Sequence, residues 1–260
     1  MRSFVSCLLL AAFLAVPAVS SSFAAVEPVP ANRALTPDYK PNLNDPIEPF
    51  NRAVFQFNRG VDFLVIKPVT TVYNAIVPGM VRRGVSNFLA HLLTPVWMVN
   101  NVLQWDWYGF ENNLHRLVVN TTLGMGGVND VASHLSIQPA RADFGQTLGK
   151  WGLGHGFYIV LPIVGSSSVR DGTGMLVDNF AFDPFNIAFL ESGTDWPLYT
   201  RAGLAAVNAR SRFGKEYDDI MRNAVDPYVT FRSMYAQRRN YLVQGQNAKS
   251  YDAYGAAELD

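Results

Sequence analysis

Hydrophobic positions recur at helical spacing through most of the chain, and Pro and Gly interrupt them often. Asn44-Asp45-Pro46 offers capping oxygens followed by Pro, which predicts a helix start. Phe50, Val54, Phe57, Val61 and Leu64 then fall on one helical face. Lys67-Pro68 predicts a break, and a short helical piece over 71–77 ends at Pro78-Gly79. Val81, Val85, Phe88, Leu89 and Leu92 mark the next amphipathic helix. Thr94-Pro95 predicts a restart, with Val96, Val99, Val102 and Leu103 turned inward. Asp106 is placed to cap a helix that aligns Phe110, Leu114, Leu117, Val118 and Thr121.

A Gly-rich region follows. Gly124, Gly126, Gly127, Gly149, Gly152, Gly154 and Gly156 alternate with Leu123, Met125, Val128, Trp151, Leu153 and Phe157. A flexible linker would pair Gly with Ser and polar residues instead. Irregular chain normally keeps to water because its backbone groups need partners, so an apolar version points to packing against lipid. Within the region, a short helix is expected at 144–148 and a strand at Tyr158–Leu161. Beyond it, helices are expected at 171–181, Pro184–Glu191, from Asp195-Trp196-Pro197 to about Arg212, and at 216–223. A last helix opens at Asp226-Pro227 and aligns Tyr228, Phe231, Tyr235 and Leu242. Short helices and scarce strand patterns predict a mostly α fold in one domain.

Composition sharpens the lipid reading. Charged residues make up 16% of the chain, against about 25% in ordinary soluble domains, while aromatics reach 13%. No stretch after the N-terminus approaches the length needed to span a bilayer. Basic and acidic residues balance at 21 each, which gives no nucleic-acid footprint. Residues 1–24 carry the three-part pattern of a cleaved signal peptide: Arg2, the apolar run 5–16, and Ser22-Phe23-Ala24. Cys7, the single cysteine, lies before most of that apolar run. Lipidation at a cysteine following the run is therefore not expected, and no disulfide or Cys-bound metal remains after cleavage. A flexible lead-in at 25–43 and a disordered tail at 244–260 complete the expected organisation.

Catalytic patterns are weak. His91, His115, His134 and His155 lack the spacing of a zinc site. Ser166-Ser167-Ser168 follows Gly165 without a nucleophile elbow. Asp143 and His155 could form a dyad, yet Asp143 also suits the cap of helix 144–148. The Gly series carries no Gly-Lys-Ser/Thr ending, so it is not a phosphate loop. No enzyme activity, metal or cofactor is expected. Arg170, beside Asp171 and Gly172, could hold a phosphate head group or make a turn-stabilising contact. Arg82 and Arg83 could snorkel to lipid phosphates or form a solvated face. The stripe Phe50, Val54 and Phe57 reads as core by the general habit of such residues.

Five segments resemble the MlaA (VacJ) family of Gram-negative outer-membrane proteins: NDPIEPFNRAVFQFN at 44–58, PGMVRRGVSNFL at 78–89, NTTLGMGGVNDVA at 120–132, DFGQTLGKWGLGHGFYIVLPIVG with SSVRDGTG over 143–174, and DPYVTFRSMYAQRRNYL at 226–242. The resemblance implies a single helical domain over 44–243, a ring in the periplasmic leaflet that does not span the membrane, with a central amphipathic channel. It implies removal of misplaced phospholipid from the outer leaflet beside a trimeric porin, with transfer to a soluble periplasmic carrier. On this basis Phe50, Asn51, Leu123, Gly124, Met125, Gly126, Gly127, Val128, Trp151, Gly152, Gly154, Gly156 and Phe157 are the residues expected to line or gate the channel. Arg82, Arg83 and Arg170 are the head-group candidates. The alternative is an envelope scaffold that only lies on the membrane. The sequence departs from the family in lacking a lipobox cysteine, in His91 where Asn is expected, and in Trp105-Asp106 where Gly and a basic residue are expected.

Overall fold

A computed structural model describes residues 43–244. The expected signal peptide, all of the lead-in except Leu43, and the tail beyond Gln244 lie outside the described residues. Helix α1 (Glu48–Val61) passes through a π-helical turn (Asp62–Ile66) into α2 (Lys67–Ile76). The long α3 (Gly79–Leu103) packs extensively along α4 (Trp107–Thr122). Short helices α5 (Val131–His134) and α6 (Phe144–Lys150) precede two antiparallel strands, β1 (Tyr158–Leu161) and β2 (Gly165–Ser168). Tyr158 stands opposite Ser168 and Leu161 opposite Gly165. The chain continues through α7 (Val169–Val177), a second π turn (Asp178–Phe182), α8 (Pro184–Glu191), α9 (Trp196–Asn223) and α10 (Pro227–Val243).

Three expected helix breaks are not breaks. Pro68 lacks an N–H, and its ring would crowd the carbonyl four residues back. The π turn absorbs this: the Lys67 N–H reaches back five residues to the Asp62 carbonyl. Pro95 lies inside α3, which is held on its far side by buried Trp97, Asn100 and Asn101. Packing there overrides the local cost of the proline. The polar run around Gly214 stays helical because ion pairs fasten it. Arg210 pairs with Asp62 at 2.8 Å and with Asp218 at 2.6 Å, and Lys67 pairs with Asp218 at 3.0 Å.

The expected caps at Asp106, Asp143 and Asp226 are present, each carboxylate accepting from a first-turn N–H. Asp45 is not a cap. Helix α1 begins later, behind Ile47, and Asp45 instead accepts from Asn51, Tyr228 and Arg232. Leu43, assigned to the lead-in, is buried with Tyr158, Val160, Tyr228 and Ala236. A second small cluster joins Leu89, Ala202 and Ala205.

The polarity of the helices is inverted relative to a water-soluble protein. Asn51, Asn100, Asn101, Asn113, Asn120, Asn186, Arg116, Arg201 and Arg239 are buried. Phe57, Phe63, Leu64, Val72, Ile76, Met80, Leu114 and Val118 are exposed. The expectation that Phe50 and Phe57 pack in the core is therefore corrected: Phe50 is 60% exposed, and only Val54 of that trio packs against the core. Of the residues expected to face inward from the second half of α3, Val96 is buried, whereas Val99, Val102 and Leu103 are half-buried; Thr94, Asn100 and Asn101 are buried beside Leu89, Val96 and Trp97.

Asn51 shows how the polar interior works. Its Nδ2 donates to the Tyr158 carbonyl at 2.9 Å, and its Oδ1 accepts from the Val160 N–H at 2.9 Å. The amide thus takes the place of a neighbouring strand along the open edge of β1. Replacing Asn51 with Ala strands both backbone groups, at roughly 1–3 kcal/mol for each. Thermal unfolding in detergent should show a clear loss of stability for Asn51→Ala and almost none for Phe50→Ala; equal effects would contradict the clamp.

Candidate functional site

The two Gly-rich segments occupy different ends of α3. Segment 123–128 follows α4 and is folded by its own turns, with the Gly127 N–H donating to Asn120 O at 2.8 Å and the Asn129 N–H to Gly124 O at 2.9 Å. It packs on the first half of α3, where Asn87 donates to Val128 O at 3.1 Å. Two glycines are required there. A Cβ on Gly124 would stand 2.3 Å from Asn129 O, and one on Gly127, whose φ is +90°, would stand 2.3 Å from the His91 ring. Leu123, Met125 and Val128 point outward and are exposed, and Gly126 borders open space.

The base of this segment is a buried polar knot. Arg116 donates to both oxygens of Asp130 at 2.8 and 2.9 Å, and Asn120 donates to Asp130 at 3.0 Å. Burial alone would raise the Asp130 carboxyl. Hydrogen bonds from Ser133, Arg116 and Asn120 overcome it and hold the pKa low. Asp130 also caps α5 through the Ser133 N–H. His91, a departure from the family pattern, meets Thr121 Oγ1 at 3.1 Å. Burial, and then the Arg116 charge, pull its pKa down.

Segment 151–157 sits at the far end of α3. Trp151 Nε1 donates to Leu103 O at 3.1 Å, and its ring meets Phe144 edge-on. Trp151, Leu153 and Phe157 are exposed, and Gly152 and Gly154 border open space. A Cβ on Gly156 would press on Val169 at 3.1 Å. Between the two segments, α3 and α4 leave an open apolar cavity of about 380 Å³ lined by Pro95, Met98, Val99, Val102, Phe110 and Leu117, among others. Sequence reasoning took several of these as core. In the turn after α3 and at the start of α4 stand Trp105, singled out in the sequence only as a departure from the family pattern, and Trp107 and Tyr108, which were not; all three are exposed. Trp105 holds a φ of +58°, the left-handed conformation that Gly adopts without strain.

Of the remaining expected residues, Phe50 is exposed on α1, and Asn51 is fully buried and committed to β1. Arg82 is tied to Asn74 and Ser211, whereas Arg83 is exposed. Arg170 does not reach a surface. It is buried, donates to Asp171 at 2.9 Å, and holds the Leu153 carbonyl at 3.3 Å. The turn-stabilising alternative for Arg170 is the one observed. The Asp143–His155 dyad does not form: Asp143 receives both terminal nitrogens of Arg239 at 2.7 and 2.8 Å, and His155 Nε2 meets Asn240 Oδ1 at 2.6 Å. Among the described residues no cluster of His, Cys, Asp and Glu could hold a metal. No helix among them is long and apolar enough to cross a membrane.

The family model described as MlaA lipoprotein matches residues 43–242. An uncharacterised protein of Rickettsia prowazekii (strain Madrid E) is 36% identical over 200 residues, covering 77% of this chain and 78% of that protein. The intermembrane phospholipid transport system lipoprotein MlaA of Escherichia coli (strain K12) is 35% identical over 211 residues, covering 79% and 81%. A solved structure, described as the structural basis for maintenance of bacterial outer membrane lipid asymmetry, superposes with a TM-score of 0.65 at 34% identity. It covers 77% of this chain and 99% of its own.

The Asp143–Arg239–Asp171 network carries a pH signature. Burial would raise Asp171, but Arg239 and then Arg170 hold it well below the usual carboxylate range. Asp178 differs. Burial, and then the Asp143 charge, push it up to about 7, although the Phe144 N–H and Asn100 donate to it at 2.9 and 2.7 Å. An unfolded Asp titrates near 3.9, so between about pH 4 and 7 the folded chain binds more protons than the unfolded one. The contribution of Asp178 is therefore complete below about pH 4 and lost as pH rises through about 7. Asp143 and Asp171, with lowered values, act in the opposite sense at lower pH. Unfolding in detergent at pH 5 and pH 8 should show the wild type losing stability at pH 8. Asp178→Asn should flatten that change, and an unchanged slope in the variant would contradict the assignment.

Proposed function

This chain belongs to the MlaA lipoprotein family, and we propose from that premise that it removes phospholipid from the outer leaflet of the outer membrane and returns it towards the periplasm. The carrying observation is the inverted polarity of the helices. Exposed apolar side chains on α1 to α4 gain about 1.5–3 kcal/mol each when fully transferred from water to hydrocarbon. The low charge of the chain agrees with such a setting. The described helices then lie in the periplasmic leaflet as a ring that does not span the bilayer, around an amphipathic channel.

Phospholipid movement needs no bond making or breaking. Its barrier is the cost of taking a charged head group through hydrocarbon. An apolar groove for chains and polar contacts for the head lower that barrier together. In this reading Phe50, Leu123, Met125, Val128, Trp151 and Phe157 face the path, and Gly126, Gly152 and Gly154 let its edges move. Asn51, Gly124, Gly127 and Gly156 position those segments. Arg83 meets phosphates at the rim, and Arg82 braces α3. A trimeric porin supports the ring and a soluble periplasmic carrier receives the lipid.

Deleting the gene should place phospholipid in the outer leaflet and raise detergent sensitivity, with the full chain restoring both. A photo-crosslinker at Met125 or Trp151 should capture phospholipid in the complemented strain. Normal lipid asymmetry in the deletion strain would favour the scaffold; capture of porin alone would remove those positions from the path.

The Escherichia coli relative is named a lipoprotein, whereas Cys7 here precedes most of its apolar run. The mature protein should therefore start near Ala25 without acyl chains and still fractionate with the outer membrane. Intact-mass analysis with membrane fractionation decides this. A diacylglyceryl increment would refute the missing acyl group, and a freely soluble periplasmic monomer would refute the embedded ring.

A further inference from the structure

Helix α4 is amphipathic with its polar side inward. Gly109, Asn113, Arg116 and Asn120 recur at helical spacing and are buried. Asn113 donates to Asn101, and both Asn120 and Arg116 donate to Asp130. Trp107, Leu114 and Val118 recur on the opposite side and are exposed. Phe110 and Leu117 flank that stripe and line the groove beside α3, so groove and stripe form one apolar surface. Glu111 and His115, also exposed, share the other flank with Tyr108.

The two ends of α4 differ in chemistry. At its start Trp105, Trp107 and Tyr108 are exposed. Trp107 meets Trp105 edge-on at 6.3 Å and Phe110 in the same way at 6.3 Å. The corner beneath them is fixed by Asp106, which accepts from the Gly109 N–H at 2.9 Å and from Asn101 Nδ2 at 3.1 Å. A helix start carries N–H groups that its own turns cannot satisfy, which suits a polar level. Rings with an apolar body and a polar tip favour the boundary between hydrocarbon and water. At the other end, the N–H groups of Leu123, Gly124, Gly126 and Gly127 all donate to α4 carbonyls. Thr121 and Thr122 return their hydroxyls to the carbonyls of Leu117 and Val118. Leu123 and Met125 are exposed there. Apolar side chains over an internally satisfied backbone meet the requirement of hydrocarbon.

We propose that α4 stands upright in one leaflet, with Trp105, Trp107 and Tyr108 as a fixed aromatic anchor at the lipid head-group level and segment 123–128 towards the bilayer centre. The inference rests on the membrane-embedded reading and gives it an orientation and a depth. Length argues for lipid rather than a protein partner. From Trp107 to Val118 the stripe runs about 17 Å along the helix, close to the roughly 15 Å of hydrocarbon in one leaflet. Trp105 adds a local argument. Its φ of +58° is a conformation that Gly adopts without strain and an indole does not. Strain of this kind persists where the side chain has a function, and the exposed Trp105 ring is set to meet what lies outside the protein.

The test is depth-dependent fluorescence quenching of the exported protein reconstituted in vesicles of phosphatidylethanolamine and phosphatidylglycerol. A bimane label is placed at Tyr108→Cys or at Val118→Cys, with Cys7→Ser to keep the label unique. Lipids carry a nitroxide either on the head group or near the end of an acyl chain. The head-group nitroxide should quench the label at 108 more strongly, and the chain-end nitroxide the label at 118. The two depths should differ by about 15 Å, the rise between those positions along an upright helix. Equal depths, the reverse order, or no quenching of either label overturns the proposal. Trp105→Gly with Trp107→Ala should weaken vesicle partitioning about 10-fold or more, the scale of two large side chains losing their burial, with helical circular dichroism unchanged. Trp107→Tyr, which keeps an amphipathic ring, should partition close to wild type. Wild-type partitioning of the double variant overturns the anchor. The two readings fail separately. If the labels show no depth order while the deletion strain loses its lipid asymmetry, only the anchor falls. If the depth order holds while the deletion strain keeps its asymmetry, the transport function falls and the anchor stands.

Discussion

Because its apolar faces point outward, this chain must be held together from within by hydrogen bonds and ion pairs. The hydrophobic effect, which normally drives helices together, supplies two small buried clusters among the described residues. The remainder of the interior depends on polar groups that have left water and must find each other. Asn113 is representative. It donates to Asn101 Oδ1 and to the Ala140 carbonyl, each at 2.8 Å, and accepts from the Ala140 N–H at 3.2 Å. One amide thus joins α3, α4 and the connection to α6. Such networks are strong when complete and costly when broken, because the surrounding medium screens them poorly.

The same logic explains how apolar, Gly-rich chain can be ordered at all. Each irregular segment is anchored at its base by an arginine–carboxylate pair and left open at its tip. Arg116 and Asp130 hold segment 123–128, and Arg170, itself paired with Asp171, holds the Leu153 carbonyl. Arg239 bridges Asp143 and Asp171 and so ties α10 to α6 and α7. Buried pairs of this kind add little net stability over apolar residues of the same shape, but losing one partner is severe. Their value is geometric: they fix where the glycine tips sit while Gly126, Gly152 and Gly154 border open space.

Much of the fold was legible in the sequence because local rules act on neighbouring residues. The caps at Asp106, Asp143 and Asp226, the strand at Tyr158–Leu161 and helix Pro184–Glu191 all follow from short-range chemistry. What periodicity could not supply was the sign of each face. Phe50, Phe57 and Leu64 share a stripe whether that stripe meets a core or a membrane; only the low charge of the whole chain hinted at the second. The continuity of α3 through Pro95 depends on burial further along the helix. Strand β2, with the sequence Gly-Ser-Ser-Ser, has no strand propensity and exists because β1 pairs with it. Asn51 and Arg170 were singled out for a lipid path, yet partners more than a hundred residues away for Asn51, and an adjacent carboxylate for Arg170, fix them inside.

Helix α3 brings these strands of reasoning to one place. Pro95, Met98, Val99 and Val102 turn one face to the apolar groove beside α4, while Leu89, Ala90, Leu93 and Trp97 turn another towards α9. This two-sided packing fixes the orientation of the helix. It also gives Pro95 a physical role. The proline leaves the His91 carbonyl without its usual helical partner, at the level where the two faces diverge. Continuity of α3 across that point keeps both faces in register, and the buried Asn100 and Asn101 just beyond it supply that continuity.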